Sequence, residues 1–161
     1  MEIEMTIKGL MIDPITNMPI IILRDGDGQR MLPIWVGVFE ANAIALQLES
    51  VQTPRPMTHD LMKNLLEEMG AQIERVVVCD LRENTFYATI HLRTQQRTIS
   101  IDSRPSDAIA LALRTQSPIL VEESVIEGAR SAENSKESGD VGRLRKWLEG
   151  LTEDELGKYK M

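Results

Sequence analysis

Hydrophobic and polar residues alternate along the first segment of the chain. Ile3, Met5 and Ile7 are apolar and the residues between them are polar, which is the two-residue period of a strand with one buried face. Alternation or short apolar runs recur between polar turns such as DGDG at residues 25–28. Together these signals predict strands over residues 2–13, 18–24, 30–36, 72–81, 86–93, 97–102 and 119–121.

Three other segments carry apolar residues at helical spacing, and we predict helices at residues 39–50, 58–69 and 105–115. The first and third are apolar on nearly every side, which predicts helices buried in the core. Pro105 suits the first position of a helix, and Gly70 suits the position just after one.

Parts of the two halves of the chain resemble each other. ANAIALQLE at residues 41–49 is similar to SDAIALALR at residues 106–114, and each follows three predicted strands. We therefore predict an α+β fold that arose by a diverged internal duplication of a strand-rich unit ending in a buried helix. Its mixed or antiparallel sheets would pack against helices.

The composition divides the chain into three parts. Residues 1–127 form the predicted globular α+β domain. Residues 128–140 hold almost no large apolar side chain, which predicts a flexible linker. Residues 141–161 are predicted to form a short helix and tail, with Leu144, Trp147 and Leu148 at helical spacing.

Charge and cysteine content narrow the functional classes. The net charge is −7, and residues 1–127 account for all of it with 11 basic and 18 acidic side chains. This acidity argues against tight electrostatic binding of a polyanion but allows a local basic groove. The single cysteine, the lack of a signal peptide and the lack of a long apolar run predict a cytoplasmic protein with no membrane partner.

Polar residues with catalytic potential stand at or just before the starts of the predicted helices. First-turn acids are explained by capping and the helix dipole, but Arg104 at a helix start needs a carboxylate, a phosphate or solvent as its partner. His59 is either a surface histidine or a general base, metal ligand or phosphate donor. The candidate site residues are Glu40, Arg55, His59, Asp60, Arg104, Ser106 and Asp107.

If these helix starts converge, they form a mixed cluster of acids and arginines that suits phosphodiester cleavage. The carboxylates Glu40, Asp60 and Asp107 are then candidate ligands for Mg²⁺ or Mn²⁺. The catalytic candidates are His59, Asp60 and Asp107, with His59 activating water. The candidates for binding the substrate phosphate are Arg55, Arg104 and Ser106.

Three motifs resemble the bifunctional nuclease domain family: LPIWVGVFEANAIALQLE, TPRPMTHDLM and SRPSDAIALALR, in this order. The ending LTEDELGKYKM is similar to that of bacterial members. The resemblance covers roughly residues 1–125 and implies an α+β fold, cleavage of DNA and RNA, and nucleic acid as the substrate. It supplies no catalytic residues, so the candidate site rests on the polar residues within the motifs.

Two other functions stay open. The chain is alternatively a non-catalytic binding or regulatory module whose arginine–carboxylate pairs are structural, an interpretation that the acidic composition favours. It is otherwise a small nucleotide or phosphate binder that uses helix N-termini. The amount of apolar helix and strand in a short chain also predicts a homodimer or larger homo-oligomer.

Overall fold

The computed structural model describes residues 1–134, which form one seven-stranded mixed sheet and four helices, a mixture of strand and helix that agrees with the predicted fold class. Residues 135–161, with the predicted C-terminal helix and the second part of the predicted linker, lie outside the described residues. The elements are β1 (Glu2–Ile12), β2 (Pro19–Asp25), β3 (Met31–Trp35), α1 (Val38–Leu48), α2 (Thr58–Glu68), β4 (Gln72–Arg82), β5 (Thr85–Arg93), β6 (Thr98–Ser103), α3 (Pro105–Thr115), β7 (Ile119–Glu122) and α4 (Glu123–Asn134).

The sheet has the strand order β3-β2-β1-β7-β4-β5-β6. Each half of the chain supplies an antiparallel three-stranded meander, and the two meanders lie on either side of β7. β1 runs antiparallel to β7 and β4 runs parallel to it. The first and fourth strands therefore run in opposite directions, as an approximate twofold axis normal to the sheet would require. An origin by duplication stays a prediction.

The backbone conformation at three places fits the residues found there. Glu83 and Asn84 both have positive φ, at 49° and 63°, which is the two-residue turn that matches the twist of a hairpin. Gly70 follows α2 with φ 72°, where a glycine avoids the strain that a side chain would bring. Pro33 lies in β3, an edge strand of the sheet, where a missing backbone donor costs least.

The buried-helix prediction holds for α3 and is wrong for α1. Every residue of α3 from Ala108 to Ala112 is buried, and the helix contacts α1, α2, β4 and β5. In α1, Ala41 and Ile44 are buried, but Phe39 is 86% exposed. The reason is position: α3 lies between two helices and the sheet, whereas α1 covers the core with one face. None of the helices within residues 1–134 is long and apolar enough to span a membrane.

The helix α4 corrects the predicted start of the linker. Residues 128–134 belong to this helix, which packs against β4 and β7. Val125 and Ile126 are buried, and Ala129 packs one turn later against the same core. These small or medium side chains form a narrow apolar face. Only Ala129 of this face lies within residues 128–140, so the polar composition of that segment did not predict a helix.

Candidate functional site

The first turns of α1, α2 and α3 converge on one groove of about 830 Å³. Glu40 lies in the first turn of α1, His59 in the first turn of α2 and Asp107 in the first turn of α3. Arg104 is the N-cap residue of α3, directly after β6. The structure therefore brings four of the seven candidate residues to the lining of a single groove.

Arg104 joins two of the acids in this groove. Its Nη2 donates to Glu40 Oε1 at 2.7 Å, and its Nε donates to Asp107 Oδ2 at 2.9 Å. The hydrogen bond from Arg104, then one from Glu40's own backbone N–H, holds the pKa of the Glu40 carboxyl below its usual value. The hydrogen bond to Glu40 and then the hydrogen bond to Asp107 raise the pKa of Arg104. Because the Arg104 side chain is still 63% exposed, this guanidinium is both held and accessible.

His59 is paired with the other oxygen of Asp107. Its Nε2 lies 3.0 Å from Asp107 Oδ1, and its side chain is only 8% exposed. A carboxylate at one ring nitrogen orients an imidazole and sets which nitrogen carries the proton. Asp107 thus contacts both the histidine and Arg104, and it is the central residue of the cluster.

Gly37 leaves the space in which the Glu40 carboxylate lies. A Cβ at Gly37 would overlap Glu40 Oε2, so a residue with a side chain would displace that carboxylate. Gly37 has an ordinary extended backbone with φ −70° and ψ 156°, and this position therefore needs glycine for space rather than for conformation. The residue lies three positions before Glu40, where it caps α1.

Asp60, although adjacent to His59, belongs to a second cluster on the other side of the α2 N-terminus. Its Oδ1 accepts from Arg114 Nε at 2.8 Å, and its Oδ2 accepts from the Met57 backbone N–H at 2.9 Å. Burial raises the pKa of Asp60, but the hydrogen bonds from Met57 and Arg114 outweigh it, and the net pKa lies below the usual value.

Arg114 is a residue that the sequence analysis missed. Its side chain is 4% exposed, and it also donates to the backbone carbonyls of Ala110 at 2.8 Å and Ala43 at 2.9 Å. It therefore links α1, α2 and α3. The one sequence signal is a charged residue near the end of an otherwise apolar helix, but its partners lie 54 and 71 positions away along the chain.

The remaining candidates are also separated from the groove. Arg55 is exposed and lines a smaller pocket of about 330 Å³ together with Asp60 and Arg114. Ser106 is 5% exposed, so it is not available to a phosphate that arrives from solvent. The predicted single cluster is therefore two clusters, because successive residues of a helix point in different directions.

Met57 is the N-cap residue of α2. The Asp60 carboxylate receives the Met57 backbone N–H, as an acid three positions after an N-cap commonly does.

The predicted metal ligands Glu40, Asp60 and Asp107 do not form one group. Within residues 1–134, no three Asp, Glu, His or Cys side chains are arranged to hold a metal ion. Glu40 and Asp107 direct oxygens at the Arg104 guanidinium, a cation that competes with any metal for the same oxygens. The donor set as arranged does not fit a resident divalent ion.

Carboxylates outnumber cations in the groove. Glu40, Asp102 and Asp107 line it, against Arg104. A groove with this excess of negative charge repels a phosphate over distance, and it contacts one only at the exposed guanidinium. The groove also has apolar walls, which include Phe39, and they offer a neutral surface for binding.

Comparisons with known proteins agree on one family. The family model for the bifunctional nuclease domain matches residues 21–134. An uncharacterized protein of Mycobacterium tuberculosis is 36% identical over 162 residues, which cover 95% of this chain and 97% of that protein. The protein named bifunctional nuclease 1 of Arabidopsis thaliana is 30% identical over 124 residues, 73% of this chain and 38% of that protein. Bifunctional nuclease 1 of Oryza sativa subsp. japonica is 31% identical over 105 residues, 63% of this chain and 32% of that protein.

Proposed function

Because this chain belongs to the bifunctional nuclease domain family, we propose that its groove hydrolyses phosphodiester bonds of DNA and RNA. The observation that carries the proposal is the contact of Asp107 with both His59 and Arg104. A base and a phosphate-binding cation are thereby held by one carboxylate. The plant relatives that are named nucleases are matched over roughly a third of their length, so the activity needs its own test in this chain.

In the proposed reaction, Asp107 holds His59 through Nε2, and Nδ1 accepts a proton from a water molecule. The water oxygen attacks phosphorus while the bond from phosphorus to the leaving sugar oxygen breaks, and that oxygen takes a proton from solvent. Arg104 donates to a non-bridging phosphate oxygen and stabilises the charge that develops there. Glu40 acts on Arg104 and keeps the guanidinium at the edge of the groove.

The assay also tests the predicted assistance by Mg²⁺ or Mn²⁺ that arrives with the substrate. Magnesium is often held by one or two carboxylates together with substrate phosphates, so activity is measured with each ion and with a chelator. Loss of cleavage on chelation would support metal assistance, and unchanged cleavage would contradict it.

Replacement of the paired residues tests the proposal. We expect His59→Ala and Asp107→Asn each to lower kcat by about 10²–10⁴-fold, since each removes the oriented base. The double variant should be little worse than either single variant, because residues that act as a unit are not additive. The measurement is cleavage of labelled single-stranded DNA and RNA, with thermal melting of each preparation.

A matched control is His91→Ala, which alters a histidine on β5 whose Nδ1 contacts Ser100 at 3.2 Å. It should retain cleavage. Equal activity in the wild type, His59→Ala, Asp107→Asn and the double variant would show that the observed cleavage does not come from this groove.

The alternative of a non-catalytic regulatory module has one observation in its favour, the excess of carboxylates around Arg104. In that case the contacts of Arg104 with Glu40 and Asp107 only join α3 to α1. Asp107→Asn would then lower the melting temperature, and the purified wild-type protein would cleave nothing above the background of a mock purification. A small nucleotide or phosphate binder would instead show a ligand-induced rise in melting temperature without cleavage.

A further inference from the structure

Phe39 is an exposed aromatic residue at the mouth of the groove. It lies in the first turn of α1, directly before Glu40, and 86% of its surface is accessible. Burying a phenylalanine side chain yields about 1.5–3 kcal/mol, so this ring can contribute to the binding of a ligand that covers it. The core does not need its ring, since α1 already contacts the core through Ala41 and Ile44.

The groove continues this apolar surface from Phe39 toward the polar cluster. Met57 and Ile101 line it, and they are 39% and 44% exposed. Ile101 lies on β6, the edge strand that leads into Arg104. An apolar, partly aromatic wall and an exposed guanidinium therefore share one groove.

Charge cannot supply most of the affinity for a nucleic acid. The chain carries a net charge of −7, and carboxylates outnumber cations in the groove. Nonspecific binding of nucleic acids normally comes from the neutralisation of several phosphates by Lys and Arg. A groove with one exposed arginine lacks that source, so its affinity must come from contacts with the bases.

We propose that Phe39, with Met57 and Ile101, forms a subsite that stacks a nucleobase next to the phosphate held by Arg104, so that the groove selects single-stranded nucleic acid. This inference rests on the proposed function of the groove. A base presents its face to an aromatic ring only when it is unstacked from its neighbours, which single strands allow and duplexes resist. Stacking on phenylalanine tolerates every base and both sugars, which agrees with a substrate range of DNA and RNA.

Binding of a fluorescein-labelled single-stranded oligodeoxynucleotide, followed by anisotropy in the His59→Ala background so that turnover does not interfere, tests the subsite. Phe39→Ala should weaken binding by about 5- to 100-fold, and Phe39→Trp should retain it. The matched control is Met69→Ala, which removes a side chain that is 79% exposed and lies after α2, away from the groove. It should bind as the parent does.

An abasic strand with the same phosphates isolates the stacking contact. The parent should bind it about as weakly as Phe39→Ala binds the normal strand, and Phe39→Ala should add little further loss. Equal losses on the normal and abasic strands, or unchanged binding of the normal strand by Phe39→Ala, would overturn the subsite. Tighter binding of the duplex than of the single strand would overturn it as well.

Salt dependence gives an independent measurement. One or two phosphate contacts predict a slope of log K against log salt of about −0.7 to −1.4 for a single strand. A slope steeper than about −3 would show that several phosphates carry the affinity and would contradict the inference.

The two proposals fail in different ways. If the wild-type protein cleaves oligonucleotides and Phe39→Ala cleaves and binds them equally well, the subsite is wrong and the nuclease stands. If no cleavage is found but Phe39→Ala still loses affinity for the normal strand alone, the subsite stands and the nuclease is wrong.

Discussion

At Gly37, the absence of a side chain determines where a carboxylate lies. We expect Gly37→Ala to push the Glu40 carboxylate away from its present position, because the new Cβ would overlap Oε2. Arg104 then loses its 2.7 Å partner, and misplacement of a group that binds substrate should lower kcat/KM by about 10- to 100-fold. Stability should change by no more than about 1 kcal/mol, since φ and ψ suit alanine and the displaced atom ends a flexible chain.

The matched control for this prediction is Gly26→Ala, where an added Cβ meets nothing within 4 Å. Cleavage rates and melting temperatures of both variants are compared on the same substrate. Full activity of Gly37→Ala would show that the position of Glu40 does not matter for the reaction.

At the scale of elements, Arg114 fastens the start of α2 to α1 and α3. We expect Arg114→Met to lower the free energy of unfolding by about 2–3 kcal/mol, because two backbone carbonyls and Asp60 lose their donor. The loss should be smaller than for a fully buried pair, since the Asp60 side chain is 33% exposed. Urea unfolding measures it, and an unchanged midpoint would show that the three helices are held by apolar packing alone. A suitable control is Arg55→Met, an exposed arginine in the same pocket.

The same ion pair gives a pH dependence with a definite sign. The pKa of Asp60 is lowered below its ordinary value of 3.8 in the folded protein, so the ionised carboxylate favours folding above that pH. This contribution is lost as the pH falls through the lower folded pKa. The melting temperature of the wild type should therefore exceed that of Asp60→Asn at about pH 5, and the difference should narrow below pH 3.8. A constant difference would assign the effect to lost packing or hydrogen bonding instead of charge.

At the scale of the whole molecule, α4 sets the boundary of the folded unit. Truncation after Asn134 should leave a cooperative fold with nearly the wild-type melting temperature, because it retains every described element. Truncation after Glu127 removes Ala129 from the core and leaves Val125 and Ile126 on a helix too short to persist. We expect a clearly lower melting temperature for the shorter chain. Equal stability of both truncated chains would show that residues 128–134 contribute nothing to the fold.

We predict that the chain forms a homodimer through an exposed apolar ridge on α2. Leu61, Leu65 and Met69 are 52%, 54% and 79% exposed at a spacing of four residues, so they lie along one face. A twofold interface would bury this ridge against its copy. Light scattering should give twice the chain mass for the wild type and a monomer for Leu65→Glu. The control is Ile15→Glu, which places the same charge at a 44% exposed turn residue. A monomeric wild type at micromolar concentration would rule the dimer out.

The sequence by itself determined the seven strands and the first three helices, but not α4. Alternation and helical spacing act over a few residues, and for this reason the helix predicted at residues 105–115 matches α3 at Pro105–Thr115. The three family motifs likewise predicted the family that the comparisons then identified.

Only the tertiary structure decided which polar residues share a site, because that depends on how distant elements pack. His59 and Asp60 are neighbours in sequence, yet one pairs with Asp107 in the groove and the other with Arg114 beyond it. Their side chains leave the helix about 100° apart, and the contacts they make depend on where α3 lies. The same packing left Phe39 exposed, since α1 touches the core on one face only. The spacing of residues along the chain predicts neither the separate partners of His59 and Asp60 nor the exposure of Phe39.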